Sequence, residues 1–316
     1  MRIYKDLNNL PEFKNAVLTI GSFDGVHIGH QQIIQQINDL ASSIDGESVL
    51  ITFDPHPRFV VGKKQGDLKL LNTLKEKAAL LEQCAVDVLV VVPFSKEFAS
   101  QSPDAYIQDF LVAHFRPKII AIGYDHKFGQ NRVGDISYLK KFEAQHDFKV
   151  VEISKQEVAD IAVSSTKVRR ALMGGKVHKA EQLLGHPFCL TGVVVKGLQI
   201  GATIGYPTAN IEVKNPYKLI PPEGIYAVWV DSENHRYQGM LYIGNRPTID
   251  HDLKQTIEVN IFDFDKDIYG KELQVEFIEY LRGNEKFTTI ENLKNQLTKD
   301  KQAALNVFEA RKKIKL

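Results

Sequence analysis

Residues 21–30 read GSFDGVHIGH and follow the apolar run AVLTI at 16–20. A β-branched run that breaks at Gly-Ser and Asp-Gly, and then resumes with Ile33, Ile34, Ile37, Leu40, Ala41 and Ile44, predicts a strand, a tight turn and a helix opening near Ile28. His27 and His30 then stand three apart on the first helical turn. That turn has free backbone N–H groups and the positive end of the helix dipole, and Gly25 and Gly29 let an anion approach the main chain. Two imidazoles there can donate to charge that builds on phosphorus and on a leaving pyrophosphate. Alone, the pair also reads as incidental polar residues at a helix start. Its place after the first strand of a parallel sheet, where such sheets bind ligands, favours function.

Working outward, short apolar runs recur about every 30 residues, at 16–22, 48–53, 86–92, 118–123 and 148–153, with amphipathic stretches between them. Thr73 and Glu76 form a capping-box pattern, and Ser102-Pro103 reads as a helix start. This is the pattern of a doubly wound α/β domain with a parallel sheet. Neither GxGxxG nor GxxxxGK[ST] occurs in it. Two short helices, SSTKVRRALMGG and KVHKAEQLLG, lead to Gly185 and Pro187, where the domain boundary is expected: 1–186 and 187–316. Beyond it, CLTGVVVKG, GIYAVWV, YQGMLYIG, TIEVNIFDF and ELQVEFIEYL have period two and predict an antiparallel β-barrel or sandwich. A terminal helix follows, with Ile290, Leu293, Leu297, Ala304, Val307 and Phe308 on one stripe expected to pack on those strands.

The chain has 316 residues, with 40 Lys+Arg against 39 Asp+Glu and a net charge of +1, so it has no basic excess for binding nucleic acid. Cys84 and Cys189 are the only cysteines, too few for a disulfide framework, and read as buried small apolar residues of a reducing compartment. The longest apolar run, VLVVVPF at 88–94, is far short of the ~20 residues that span a bilayer, and no signal peptide opens the chain. The expectation is a cytoplasmic protein with no membrane partner. The oligomeric state is left open.

FDGVHIGH resembles the HxGH signature of the nucleotidyltransferase superfamily, which transfers adenylyl or cytidylyl groups, and VSSTKVRRAL at 163–172 is similar to its ISSTxIR companion. By itself SSTKVRR reads as a capped, solvated helix. The resemblance implies ATP binding by Gly21, Ser22, Phe23, Asp24, Gly29, Ser164, Ser165, Thr166 and Arg169, with His27 and His30 catalytic. GYDHKFGQNRVGD at 123–135 and TFDPHP at 52–57 resemble the flavin branch, which implies FMN contacts from Asp54, His56, Pro57, Asp125 and Phe128. Locally TFDPHP reads equally well as a proline-stiffened turn. Ser22 stands where that branch usually has Asn, and His126 where it has an aromatic residue.

GLQIGATIGYPTANI at 197–211 reads either as a turn-rich hairpin or as a glycine flap over a nucleotide, with Thr208 and Asn210 as oxygen ligands for Mg²⁺. PTAN resembles the riboflavin kinase family, and the agreement runs on through GIYAVWV, YIGNRPTI, IEVNIFDFDKDIYGKEL and YLR..KF. The resemblance implies ATP contacts from Gly197, Gly201, Gly205, Pro207, Thr208 and Asn210, flavin contacts from Arg282, Asn284 and Phe287, and Glu258 as general base. By pattern alone Glu258 reads as an outward residue of an alternating strand. Ala202, Asn260 and Gly283-Asn284 depart from that family's usual Arg, His and Pro-Glu. Together the motifs resemble the bifunctional bacterial enzymes that make FMN from riboflavin and FAD from FMN, with ATP as co-substrate and Mg²⁺ as cofactor. A kinase with a weak adenylyltransferase domain, or a non-catalytic flavin-binding regulator, fits the same folds.

Overall fold

In the computed structural model, residues 1–62, 68–123, 126–153, 163–197, 200–233, 235–247 and 253–314 are described. Six parallel strands form the first sheet: β1 (Arg2–Tyr4), β2 (Val17–Ile20), β3 (Ser48–Asp54), β4 (Val88–Pro93), β5 (Ile119–Gly123) and β6 (Lys149–Ile153), in the order β1-β4-β3-β2-β5-β6. Five match the predicted runs. The sixth, β1, is three residues long, too short for a period, and pairs Arg2 with Val88 at the sheet edge. Val88–Val92 are all buried, as expected of a strand covered on both faces. Helix α1 (Ile28–Ser43) buries Ile34, Ile37 and Ala41, and α2 (Leu74–Gln83) buries Leu81. The stretch after Pro103 contains a π-helical run, Tyr106–Val112, which buries Tyr106, Ile107, Phe110 and Leu111.

Strand β2 lies between β3 and β5, and from there the chain order runs outward to β4 on one side and to β6 on the other, with β1 added beyond β4. That reversal opens a crevice at the carboxyl ends of β2 and β5, and GSFDGVHIGH is the segment that leaves β2.

The second unit is a closed antiparallel barrel in the order β10-β11-β8-β7-β12-β9. Its strands are β7 (Phe188–Val195), β8 (Ala209–Glu212), β9 (Gly224–Ser232), β10 (His235–Pro247), β11 (Leu253–Ile261) and β12 (Glu272–Arg282). Closure leaves no free sheet edge. Strand β8 comes from the PTANI stretch, where polar residues hide the period. The terminal helix, here α5 (Ile290–Ile314), packs as expected: Ala304 and Phe308 are buried, and the Phe308 ring lies 4.8 Å from that of Trp229. Ile290, at its start, is 70% exposed.

Contacts divide the chain into residues 1–69 with 74–164, and 70–73 with 165–316. The division falls ahead of the expected 186, because α3 (Ser165–Met173) and α4 (Val177–Leu184) side with the barrel. Helix α4 buries Val177, Ala180 and Leu184 against that unit, and its Glu181 accepts from Arg311 Nη1 at 2.8 Å. Leu70–Thr73 join the same unit as a short strap. Leu70 donates to the Tyr217 carbonyl at 2.6 Å, Leu219 donates back to Leu70 at 2.8 Å, and the buried Lys218 ammonium donates to the carbonyls of Leu71 and Cys189, each at 2.7 Å.

Candidate functional site

The turn after β2 is strained where it meets α1. Phe23 (φ 45°), Gly25 (φ 92°) and Val26 (φ 39°) all take left-handed backbone, and a β-branched residue does so only when its surroundings force it. Burial of the Phe23 and Val26 side chains and a 2.8 Å bond from Gln31 Nε2 to the Val26 carbonyl supply that force. The turn delivers His27 as the N-cap of α1, where its Nδ1 accepts the His30 backbone N–H at 3.3 Å. An Nδ1 that accepts leaves the proton of the neutral ring on Nε2, the outer donor. The two imidazoles stack with centroids 3.6 Å apart and planes 12° from parallel. Nδ1 of His30 is buried without a hydrogen-bond partner among the described residues. Burial, then the charges of His27 and Lys77, hold the His30 pKa well below the usual histidine value, so this ring is neutral at pH 7.

Beneath the turn, Thr52 Oγ1 donates to the Ser22 carbonyl at 3.3 Å and accepts from Lys77 Nζ at 3.2 Å. Asp24 is 2% exposed and Lys77 6%. Burial lowers the Lys77 pKa to about 8 against the opposing pull of Asp24 and Asp54. Lys77 was not among the residues expected from sequence. Its signal was a lysine on the apolar stripe of Leu74, Ala78 and Leu81.

The other residues expected in this unit fare differently. Gly29 is buried in the first turn of α1. Asp54 is exposed at the end of β3, ahead of a cis Asp54–Pro55 bond. His56 Nδ1 accepts from the Arg58 N–H at 3.2 Å and caps the short helix Pro57–Val61, so TFDPHP forms a capped turn. Phe128 does not present a free ring: it is 6% exposed and stacked on Tyr106 at 4.9 Å, and it anchors its loop to the core. Asp125 lies outside the described residues. Ser164 and Thr166 are exposed and Arg169 is half-buried, while Val168, Ala171 and Leu172 fill the inner face of α3. By contacts Ser164 counts with the first unit, and Ser165, Thr166 and Arg169 with the second.

In the barrel, β8 and β11 pair with Asn210 opposite Glu258 and Ala209 opposite Val259. Thr208 Oγ1 donates to Glu258 Oε2 at 3.2 Å. The flap glycines are there for space: a Cβ on Gly197 would lie 2.2 Å from Asn210 Nδ2, and one on Gly201 2.3 Å from the Tyr206 carbonyl. Gly205 takes φ 82°. Asn260 Nδ2 holds the Pro207 carbonyl at 2.7 Å. Thr208 opens on a cleft of about 500 Å³ lined also by Pro207, Val259, Asp265, Asp267 and Tyr269, the last three unforeseen from sequence. Arg282 donates from Nε and Nη2 to both oxygens of Asp300 at 2.8 and 2.6 Å, an ion pair that raises its pKa, and its guanidinium lies 5.9 Å from the Phe287 ring. Asn284 donates to Glu223 at 2.8 Å. Helix α5 links the two clusters, because Tyr206 of the flap meets Thr298 at 2.8 Å, two residues before Asp300. Among the described residues no cluster of three or more His, Cys, Asp or Glu is placed to hold a metal.

The family model described as FAD synthetase matches residues 10–167, and that described as riboflavin kinase matches 184–308. The bifunctional riboflavin kinase/FMN adenylyltransferase of Listeria monocytogenes is 38% identical over 91% of each chain. Those of Escherichia coli K12 and Bacillus subtilis are 34% and 35% identical over 98% and 94% of each chain. A crystal structure of a Streptococcus pneumoniae protein designated a macrolide-efflux protein superposes with a TM-score of 0.85 at 31% identity, covering 96% of this chain and 98% of that one. Among the described residues no helix is long and apolar enough to cross a membrane.

Proposed function

This chain belongs to the bifunctional riboflavin kinase/FMN adenylyltransferase family, and we propose that its two reactions are divided between the two sites just described. It phosphorylates riboflavin with ATP to give FMN, then joins FMN to the AMP moiety of a second ATP, giving FAD and pyrophosphate. The observation that carries the division is the meeting of Thr208, Asn210 and Glu258. Thr208 shares a hydrogen bond with Glu258, 50 residues on, and Asn210 shares a register position with the same carboxylate residue, as a kinase centre requires.

In the kinase centre, the Glu258 carboxylate accepts the proton of the ribityl hydroxyl as that oxygen attacks the γ-phosphorus of ATP and ADP leaves. Thr208 Oγ1 and the Asn210 amide oxygen would hold Mg²⁺, which when bound neutralises charge on the phosphates. The oxygen donors of this pair suit that ion, and the missing side chain of Gly197 leaves room for the Asn210 amide. The flavin is received near Arg282, Asn284 and Phe287, with Arg282 held in one orientation by Asp300.

In the adenylyltransferase centre, a phosphate oxygen of FMN attacks the α-phosphorus of ATP, and the bond to the β-phosphate bridging oxygen breaks. His27 Nε2–H and the His30 ring lie at the positive end of α1, where they meet charge building on the transferred phosphorus and the departing pyrophosphate. Ser164, which counts with the same unit as the histidines, is assigned to a phosphate contact. Two isolated cysteines support a cytoplasmic setting.

Incubation with riboflavin, ATP and Mg²⁺, with the flavins separated by chromatography, tests the division. A His27→Ala/His30→Ala variant is expected to accumulate FMN without FAD. Glu258→Ala is expected to lose FMN formation by ~10²- to 10⁴-fold yet still make FAD from added FMN. Equal loss of both products in either variant contradicts the division.

A further inference from the structure

Lys77 is a buried cation that the two-site reading leaves without a task. It is 6% exposed, and among the described residues its one hydrogen bond runs to Thr52 Oγ1 at 3.2 Å. An ammonium has three donors, so two remain for another acceptor. Thr52 passes the anchor on to the Ser22 carbonyl at 3.3 Å, so the lysine is tied to the main chain of the turn that presents His27. Titratable groups face it from each neighbouring element: the carboxylates of Asp24 in the turn and Asp54 at the end of β3, and the neutral His30 ring on α1. A lysine on a solvated helix face carries its ammonium to water. This one carries it inward, to Thr52 and near enough to His30 to lower that ring's pKa.

We infer that Lys77 is a positioning residue of the adenylyltransferase site, one that braces the Gly21–His30 turn through Thr52 and sets a fixed positive charge beneath the bound triphosphate. The inference rests on the assignment of adenylyl transfer to that site. Its specific signature is electrostatic: burial places the Lys77 proton at a pKa of about 8, so activity that depends on the ammonium fades above that pH.

The test uses the full chain with Lys77→Met and Lys77→Arg. It measures kcat/KM for ATP in FAD formation from supplied FMN across pH, riboflavin phosphorylation by the same protein, and thermal melting. Lys77→Met is expected to lose ~10²-fold in FAD formation, the usual effect of removing one electrostatic donor. Riboflavin phosphorylation is expected to stay within about two-fold of wild type. The wild-type kcat/KM profile is expected to fall on its alkaline side near pH 8, and Lys77→Arg, which stays charged there, to restore part of the rate and lose that limb. Full FAD formation by Lys77→Met, or an alkaline limb unchanged in Lys77→Arg, would overturn the inference. If the Met variant does not fold, the Arg profile decides alone. A wild-type chain that makes no FAD would sink the site assignment itself, whereas an active Met variant sinks only the part given to Lys77.

Discussion

His27 both caps a helix and keeps its Nε2 proton as a donor, and the two tasks separate by substitution. Asparagine caps as well as any residue, whereas alanine forfeits about 1 kcal/mol at such a position. His27→Asn is therefore expected to melt close to wild type and still lose FAD formation, with calorimetry and flavin chromatography as the two measurements. His30 makes a pH prediction. Its folded pKa lies well below 6.5, so below that pH the unfolded chain takes up a proton that the native ring refuses. Stability is then expected to fall as pH drops through 6.5 towards 5, and His30→Gln to flatten that slope in thermal melts. That His27 and His30 share the first turn of a helix could be read from their spacing and from the strand before them. Lys77 could not be read so, because a lysine on a helix ordinarily reads as solvated and only its place on an apolar stripe says otherwise. For Phe128 the motif did not show that its ring is buried against Tyr106.

At the scale of elements, the flap depends on missing side chains. A methyl group on Gly197 would strike the Asn210 amide at 2.2 Å, so Gly197→Ala is expected to displace that side chain and slow riboflavin phosphorylation by ~10²-fold, the effect of about 1 Å of misplacement. FAD synthesis from added FMN should not change, which product analysis reads directly. On Gly201 the clash at 2.3 Å is with backbone, the Tyr206 carbonyl, which cannot swing aside. Most elements could be read from their period, both in the buried parallel strands and in the alternating barrel strands. Two could not: β1 has three residues, and β8 interrupts its apolar pattern with Asn210 and Glu212. In both cases pairing with a neighbour makes the strand. Glu258 shows the same limit. Its alternating position left it free to face solvent until the register set it against Asn210.

For the whole molecule, the order of motifs along the chain announced two catalytic units, but not where one ends. The boundary at Ser164/Ser165 depends on what α3 and α4 pack against, and a glycine-proline stop after them carries no information about that. The Leu70–Thr73 strap is less legible still, since LLNT looks like the approach to a helix, and its backbone bonds to Tyr217 and Leu219 and the Lys218 ammonium show where it docks. A fragment of residues 165–316 would leave that buried cation short of the Leu71 carbonyl, a loss of about 1–3 kcal/mol. It is expected to melt below the barrel of the intact chain, and Lys218→Met to narrow the gap, in parallel calorimetric scans. The strap therefore bears on any attempt to separate the two catalysts. No single scissor cut frees the smaller one whole, because four of its residues are written early in its neighbour's text, and a stand-alone version would need them grafted back or their tether made unnecessary.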